Sequence, residues 1–326
     1  MTDGLLFANA VAKAKENNLF SAERLGRLIE CDTLADAVKI LVEANYGGGV
    51  IPEDPADFED ALIAEEALAD IFLHQLKLDE IGMDCFLIST DYHNVKAILK
   101  NIYGNAELSP MLEGGGYYDS SWLKERIGAE EPNINPYIDT AVKEIKKALE
   151  IKKSPRLIDT LVDKAMFQDI AARLKKKSAD ALIKRYFAAL ADLTNIDAML
   201  RAHAIGADFN FFEASFAEGG LLSLDAFRAI YADAWDKLPE LVKGTPYPPI
   251  TAKIAEGGLP RFASARDDFL LDIFREGKNE MFSAAPVAGY FLAKKQEVKM
   301  LRIALVCIKN GVGKAEIRKR MRSMYA

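Results

Sequence analysis

The sequence predicts an all-α protein made of three similar helical subdomains of about 100 residues each. Three observations support this prediction. Apolar residues recur at the spacing of a helix face, and two signature segments recur three times in the same order. Alternating runs of β-branched residues with tight-turn dipeptides, the pattern typical of strands, are absent from the sequence.

Helical periodicity is clearest in two segments. Apolar side chains fall on one broad stripe over residues 62–72 and on another over residues 142–149, at intervals of three and four residues. Helix start signals agree with the periodicity. Ser154 followed by Pro155 offers an N-cap with proline at the first helical position, and Ser178 and Ser223 are further candidate caps.

Two signatures define the repeat. The first is an Asp-Ile pair inside an apolar helix, and the second, about 25 residues later, is a helix that carries a polar residue at a fixed position. The signature residues are Asp70 and Asn94 in the first copy, Asp169 and Asn195 in the second, and Asp272 and Glu297 in the third. Polar residues repeated at equivalent helix positions are more often architectural than catalytic. We therefore expect these six to be structural and treat them as candidates for lining a cavity.

The spacing of the copies sets the expected boundaries. Asn195 follows Asn94 by 101 residues, and Glu297 follows Asn195 by 102. We expect three repeats, over residues 1–120, 121–222 and 223–326, packed into one compact body. Two of them share a Glu-Gly-Gly landmark after the signature helix, at residues 113–115 and 218–220.

Composition narrows the class of partner. The net charge of −7 argues against a nucleic-acid binder, which usually carries a basic face. The sequence has no run of 18 apolar residues, so no membrane span is expected. Its first residues lack the basic and apolar segments of a secretion signal, so secretion is not expected either. The three cysteines are far apart and odd in number, which favours free thiols in a reducing cytoplasm. An acidic segment at residues 53–70 and a basic one at 314–322 suit docking between two different surfaces.

A search for catalytic motifs leaves one weak candidate. The segment at residues 311–314 lacks the first glycine and the hydroxyl of a phosphate-binding loop, and the three histidines have no ligand-like spacing. Asp267, Asp268 and Asp272 form an acid-rich helix segment, in which Asp268 and Asp272 share a face that can hold Mg²⁺ against a diphosphate. The alternatives to a scaffold are thus a helical Mg-dependent, isoprenoid-type diphosphate enzyme and a helical-repeat regulatory binding protein.

The order and spacing of the signature segments resemble a known family. Residues 91–100, 193–201 and 296–302, together with Asn45-Tyr46-Gly47-Gly48 and Phe211-Phe212-Glu213, are similar to the C subunits of the V-type (A/V-type) ATPases, whose eukaryotic relative is the d subunit. The likeness covers nearly the whole chain. The third copy departs from the pattern, since Glu297 replaces asparagine and the Glu-Gly-Gly landmark is missing.

The resemblance implies an all-α funnel with pseudo-three-fold symmetry. Such a subunit sits peripherally on the cytoplasmic side of the membrane, between the central-shaft subunits (D and F type) and the membrane proteolipid rotor ring. It couples ATP turnover to proton or sodium transport without catalysis of its own. No cofactor, metal, nucleic acid or small-molecule ligand is expected, and the loop at residues 113–118 is a candidate for one rim.

Overall fold

A computed structural model of the protein describes residues 2–104, 115–151, 155–176 and 178–325. These residues form helices joined by turns and extended connections, with no strand among them, so the all-α prediction is confirmed. None of the helices within these ranges is both long and apolar enough to span a bilayer. The predicted cap Ser154 and the landmark residues Glu113 and Gly114 lie outside the described residues.

Sixteen α-helices are assigned in the described part of the chain. In chain order they are α1 (Thr2–Glu16), α2 (Ala22–Glu30), α3 (Leu34–Glu43), α4 (Glu59–Gln75), α5 (Asp84–Gly104), α6 (Ser120–Gly128), α7 (Pro136–Ile151), α8 (Pro155–Leu174), α9 (Ala181–Ala204), α10 (Phe209–Glu213), α11 (Leu224–Ile230), α12 (Ala234–Leu241), α13 (Pro248–Thr251), α14 (Lys253–Arg275), α15 (Ala285–Lys309) and α16 (Lys314–Arg320). Helix α14 is broken at Gly257 and Gly258, where the backbone leaves helical geometry.

The chain divides into two compact units. The terminal unit combines Met1–Leu78 with Asp267–Ala326, and the middle unit is Asp79–Arg266. Both ends of the chain thus build one unit, and the middle unit is inserted between them. The division into three repeats at residues 120 and 222 stays a prediction.

The terminal unit is organised around α15. This helix is apolar on most of its circumference, as expected for a helix surrounded by others, and it packs against α1, α2, α3, α4 and α16. Its Leu301 and Leu305 are fully buried in a core that includes Phe20, Leu28 and Leu41. Helices α2 and α3 begin at serine and threonine caps whose side chains accept backbone N–H groups.

The middle unit is built on α5, α7, α8 and α9. Helix α8 packs against both α5 and α7, while α9 packs against α10 and α12. Aspartates rather than serine start two of its helices, since Asp119 caps α6 and Asp180 caps α9. Ser178 is therefore not the cap of α9, whereas Ser223 caps α11 as predicted.

Helix pairing crosses the copies of the repeat. The Asp-Ile helix of the first copy, α4, packs on the signature helix of the third copy, α15. The signature helix of the first copy, α5, packs on the Asp-Ile helix of the second, α8. In both pairs, a signature helix meets the Asp-Ile helix of the next copy, counted cyclically. This exchange explains why the ends of the chain share one unit.

Candidate functional site

The signature helix α9 holds the loop that follows it through Asp192. This aspartate is fully buried, one turn before the signature asparagine. Its carboxylate accepts the backbone N–H groups of Leu221 at 2.8 Å and Leu222 at 3.0 Å, and the Tyr247 hydroxyl at 2.7 Å. Three donors satisfy a charge that would otherwise be costly to bury. Residues 217–222, which we name the α9 loop, are thereby fixed to the helix.

Asn195 secures the other end of the α9 loop. Its amide nitrogen donates to the carbonyl oxygen of Ala217 at 2.8 Å, and its amide oxygen accepts the N–H of the same residue at 2.8 Å. This two-way pairing needs an amide, because only asparagine or glutamine offers a donor and an acceptor side by side. The predicted structural role of Asn195 therefore has a definite physical basis.

The first copy repeats the arrangement 101 residues earlier. Asp91 of α5 is fully buried and accepts the N–H groups of Tyr117 at 3.1 Å and Tyr118 at 3.0 Å. Asn94 follows one turn later and is also fully buried. Residues 115–118, which we name the α5 loop, are the described part of the rim segment predicted at residues 113–118.

Glycines permit the close approach of both loops. A Cβ atom on Gly116 would lie 2.1 Å from Oδ1 of Asp91, and one on Gly220 would lie 2.0 Å from Oδ1 of Asp192. Neither position has room for a side chain. The matching glycine pairs are therefore residues 115–116 and 219–220, one residue later in the first copy than the predicted landmark register.

Burial shifts the titration of both aspartates. Desolvation raises the pKa of Asp91 to about 7, although the two backbone N–H groups act to lower it. Burial also raises the pKa of Asp192, opposed by the Tyr247 hydroxyl and its two backbone donors. Both shifts have the same physical cause, since the carboxylate loses water on entering the helix interface.

The third copy uses a charge pair at the same two helix positions. Lys294 and Glu297 of α15 are each only 2% exposed, with the Lys294 Nζ 2.7 Å from Oε1 of Glu297 and 2.8 Å from Oε1 of Glu65. Glu297 also accepts the N–H of Phe20 at 2.5 Å and the hydroxyl of Tyr46 at 3.0 Å. The segments held here come from the start of the chain rather than from a loop after the helix. Glutamate thus replaces the signature asparagine because its partners include a buried cation.

The electrostatics of the Lys294 pair favour the charged lysine. Burial alone would lower the pKa of Lys294, but the charges of Glu297 and Glu65 outweigh it and raise that pKa. Breaking a buried pair of this kind by removing one partner typically costs about 3–5 kcal/mol. The cluster therefore fixes the N-terminal helices to α15.

Two of the Asp-Ile aspartates serve as buried tethers between helices. Asp70 of α4 is 1% exposed and binds the Lys295 ammonium at 2.7 Å. Asp169 of α8 accepts Arg173 Nε at 2.8 Å and the Tyr92 hydroxyl at 3.1 Å. Lys295 and Tyr92 occupy equivalent positions on their signature helices. These contacts account for the recurrence of the aspartate, and the lining of a cavity by the six signature residues stays a prediction.

The acid-rich segment of α14 binds the end of the chain. Asp268 accepts both the N–H and the hydroxyl of Ser323, at 3.0 and 2.9 Å, while Asp267 lies 2.7 Å from the Lys299 ammonium. Asp272 pairs with Arg275, which also donates to the Met324 carbonyl at 2.6 Å. All three carboxylates therefore have protein partners. Among the described residues, no group of three acidic, histidine or cysteine side chains has the arrangement of a metal site, and the segment gives the diphosphate-enzyme alternative no support.

Sequence reasoning missed one buried residue in each of these three clusters. Asp91, Asp192 and Lys294 each lie three residues before the signature position, so they share its helix face. Polar residues repeated one turn before a known repeat position were the available signal. Asp91 and Asp192 are identical in type, whereas lysine at the third position breaks the pattern.

Comparison with known proteins gives matches over most of the chain. The family model described as ATP synthase (C/AC39) subunit matches residues 8–320. The C subunit of the V-type sodium ATPase of Enterococcus hirae is 19% identical over 321 residues, which are 97% of this chain and 98% of that protein. The C subunit of the A-type ATP synthase of Halorubrum lacusprofundi is 25% identical over 238 residues, 67% of this chain and 66% of the relative. The chain belongs to the ATP synthase (C/AC39) subunit family.

Proposed function

We propose that this chain is the non-catalytic central-stalk subunit of a V-type ATPase. It forms a socket on the cytoplasmic side of the membrane that links the central-shaft subunits (D and F type) to the proteolipid rotor ring. Through this link it couples ATP turnover to the transport of protons or sodium ions. The observation that carries the proposal is the family match, which extends over residues 8–320.

The internal structure of the middle unit suits this role. A part that transmits torque must resist deformation, and the loops here are held by buried carboxylates and an amide rather than by exposed contacts. Removing such a bond costs the full desolvation penalty of the partner left behind. Of the aspartates that first suggested metal chemistry, Asp268 binds Ser323 near the end of the chain and Asp267 pairs with Lys299 of α15.

Reconstitution tests the proposal. The tagged full-length chain is mixed separately with the shaft subunits and with the detergent-solubilised ring of the same organism, and then with both. We expect binding to each partner, a ternary complex, and restored ATP-driven ion uptake when the chain is added to vesicles that carry a complex lacking it.

A matched control separates coupling from chemistry. Asp268→Asn changes the acid-rich segment but keeps its shape, so the variant is expected to assemble and to restore ion uptake like the wild type. Failure of the wild-type chain to bind either the shaft or the ring would refute the proposed function. Diphosphate release by the isolated chain, lost in Asp268→Asn, would instead support the enzyme alternative.

A further inference from the structure

A groove with one apolar wall and a largely polar lining elsewhere runs along α4 in the terminal unit. It lies between α4, α1 and α15, and Leu68, Ile71 and Phe72 form its apolar wall. Leu68 and Ile71 are 47% and 48% exposed, so both present apolar surface in the groove. The groove therefore displays apolar surface that the fold itself does not cover.

The charged side chains around this groove differ in whether they have an oppositely charged partner. Its carboxylate, Glu65, is bonded to the Lys294 ammonium at 2.8 Å and to the N–H of Gly47 at 2.8 Å. Lys15 also lines the groove, and its ammonium lies 5.2 Å from the centroid of the Phe72 ring. Across the described ranges, no carboxylate lies within 4 Å of the Lys15 ammonium. The charge left for a partner is thus positive.

The middle unit has a smaller groove on the same face of its Asp-Ile helix. Phe167, Ile170 and Ala171 of α8 line it, and they follow Leu68, Ile71 and Phe72 by 99 residues each. The opposite wall comes from α9 and includes the half-buried Ala188.

Lysines again form the charged rim of the middle-unit groove. Lys175 and Lys184 line it, and neither ammonium has a carboxylate within 4 Å in the part of the chain that is described. The one carboxylate of the groove, Glu218, accepts the amide of Gln168 at 3.3 Å. In two copies of the repeat, the groove therefore combines an apolar wall on the Asp-Ile helix with lysines that lack an acidic partner.

We propose that these grooves bind amphipathic α-helices of a partner subunit, with an apolar stripe inserted between the walls and carboxylates along its edge facing the lysines. A helix presents apolar side chains at intervals of three and four residues, which matches a groove that follows another helix. Acidic flanks complement the lysines and speed association. The proposal rests on the proposed function, because the partner belongs to the same machine.

Substitutions on one helix provide a matched test. Leu68→Asp combined with Ile71→Asp places charge inside the terminal-unit groove. Ile63→Asp is the control, because Ile63 lies on the same helix with the same 48% exposure but does not line the groove. In the middle unit, Ala188→Asp tests the α9 wall and Lys184→Glu tests the rim.

Binding constants of the full-length variants are measured separately for the shaft subunits and for the solubilised ring. We expect the groove variants to raise the Kd for one of these partners at least about tenfold, the effect of losing an interface anchor. Ile63→Asp is expected to stay within about twofold of the wild type. For Lys184→Glu we expect weaker binding at low salt and a smaller loss of affinity with added salt, because one screened attraction is gone.

Several outcomes would overturn the inference, and they are distinguishable from failure of the proposed function. Wild-type affinity of every groove variant for both partners removes the grooves from the interface while leaving the function intact. An equal loss in Ile63→Asp shows general destabilisation instead of groove binding. Concentration-dependent dimers seen by light scattering, and abolished by Leu68→Asp, identify a second copy of the chain as the occupant. If the wild type binds neither partner, the proposed function fails first.

Discussion

The substitution Gly220→Ala adds one methyl group where the α9 loop approaches its aspartate most closely. The new Cβ would lie 2.0 Å from Oδ1 and 2.6 Å from Cγ of Asp192, distances that no van der Waals contact allows. Gly220 does not have a positive φ, so the backbone itself accepts alanine. The whole penalty therefore comes from moving the loop away from the carboxylate.

The structure sets the size of this penalty. Retreat of the loop breaks the hydrogen bonds from the N–H groups of Leu221 and Leu222 to a buried carboxylate. Hydrogen bonds to charged groups contribute about 1.5–3 kcal/mol each. Alanine also stabilises the folded state by about 0.4–1 kcal/mol, because it restricts the conformations of the unfolded chain. The free energy of unfolding should therefore fall by at least about 2 kcal/mol.

Urea unfolding at pH 7, followed by circular dichroism at 222 nm, measures this loss. Gly128→Ala is the control, since no atom lies within 4 Å of the added Cβ and the residue ends α6. We expect that variant to be neutral or slightly stabilised. A double-mutant cycle isolates the clash, because Asp192→Ala makes room for the methyl group. Gly220→Ala should then cost at least about 1 kcal/mol less than it does in the wild type.

Two results would refute this reasoning. Stability of Gly220→Ala within about 0.5 kcal/mol of the wild type would mean that the loop is not held against Asp192 as described. Additive effects of Gly220→Ala and Asp192→Ala would mean that the carboxylate is not what the methyl group meets.

Three further substitutions test the other tethers. Asn195→Leu removes both hydrogen bonds to Ala217 and should lower the unfolding free energy by about 2–4 kcal/mol in urea, whereas a loss below about 0.5 kcal/mol would contradict the pairing. Glu297→Gln leaves Lys294 with one countercharge and should cost about 3 kcal/mol by the same assay; an unchanged midpoint would show that the pair is not buried. The pKa of Asp91, about 7 in the folded state, lies above the unfolded value of about 3.9, so the folded state binds this proton more tightly and stability falls as pH rises between these values. Asp91→Asn should reduce that slope by up to about 1.4 kcal/mol per pH unit between pH 5 and 7, and an identical slope in both proteins would exclude Asp91 as its source.

Local signals were sufficient to predict the all-α class and several of the helices. On α4 the apolar stripe did not coincide with the buried face, since Ile63, Leu68 and Ile71 are 47–48% exposed. Apolar spacing along α7 did indicate its buried face, and the recurrence of Asn94 and Asn195 indicated equivalent positions on two long helices. Both signals depend on residues a few positions apart, so a single sequence contains them in full.

The partners of the signature residues could not be predicted from the sequence, for a physical reason. Asp70 binds Lys295 across 225 positions, and Phe20 donates to Glu297 across 277. Such contacts depend on which helices meet, and periodicity does not specify this. The exchange of helices between copies was missed for the same reason, because a repeat written along the chain suggests that each copy folds on itself.

The sequence alone could not decide which two glycines of the first copy correspond to those of the α9 loop. Residues 114, 115 and 116 are all glycine, so the sequence alone offers two equally good alignments with the pair at 219–220. The close approach to Asp91 resolves the choice, since Gly116 is the residue whose Cβ would meet the carboxylate.

The terminal unit is built from both ends of the chain, and this has a consequence for its biosynthesis. The tether of Asp70 to Lys295 closes only after 225 further residues are made, which takes roughly 10 to 45 seconds at ribosomal rates of about 5–20 residues per second. The middle unit, Asp79–Arg266, is complete before that moment. During this interval α15 has not been made, so the acidic side chains of α4 lack their basic partners on α15. The apolar face of α4 that packs on α15 is also uncovered. Chains released before α15 is made therefore lack Lys295, the partner of the buried Asp70.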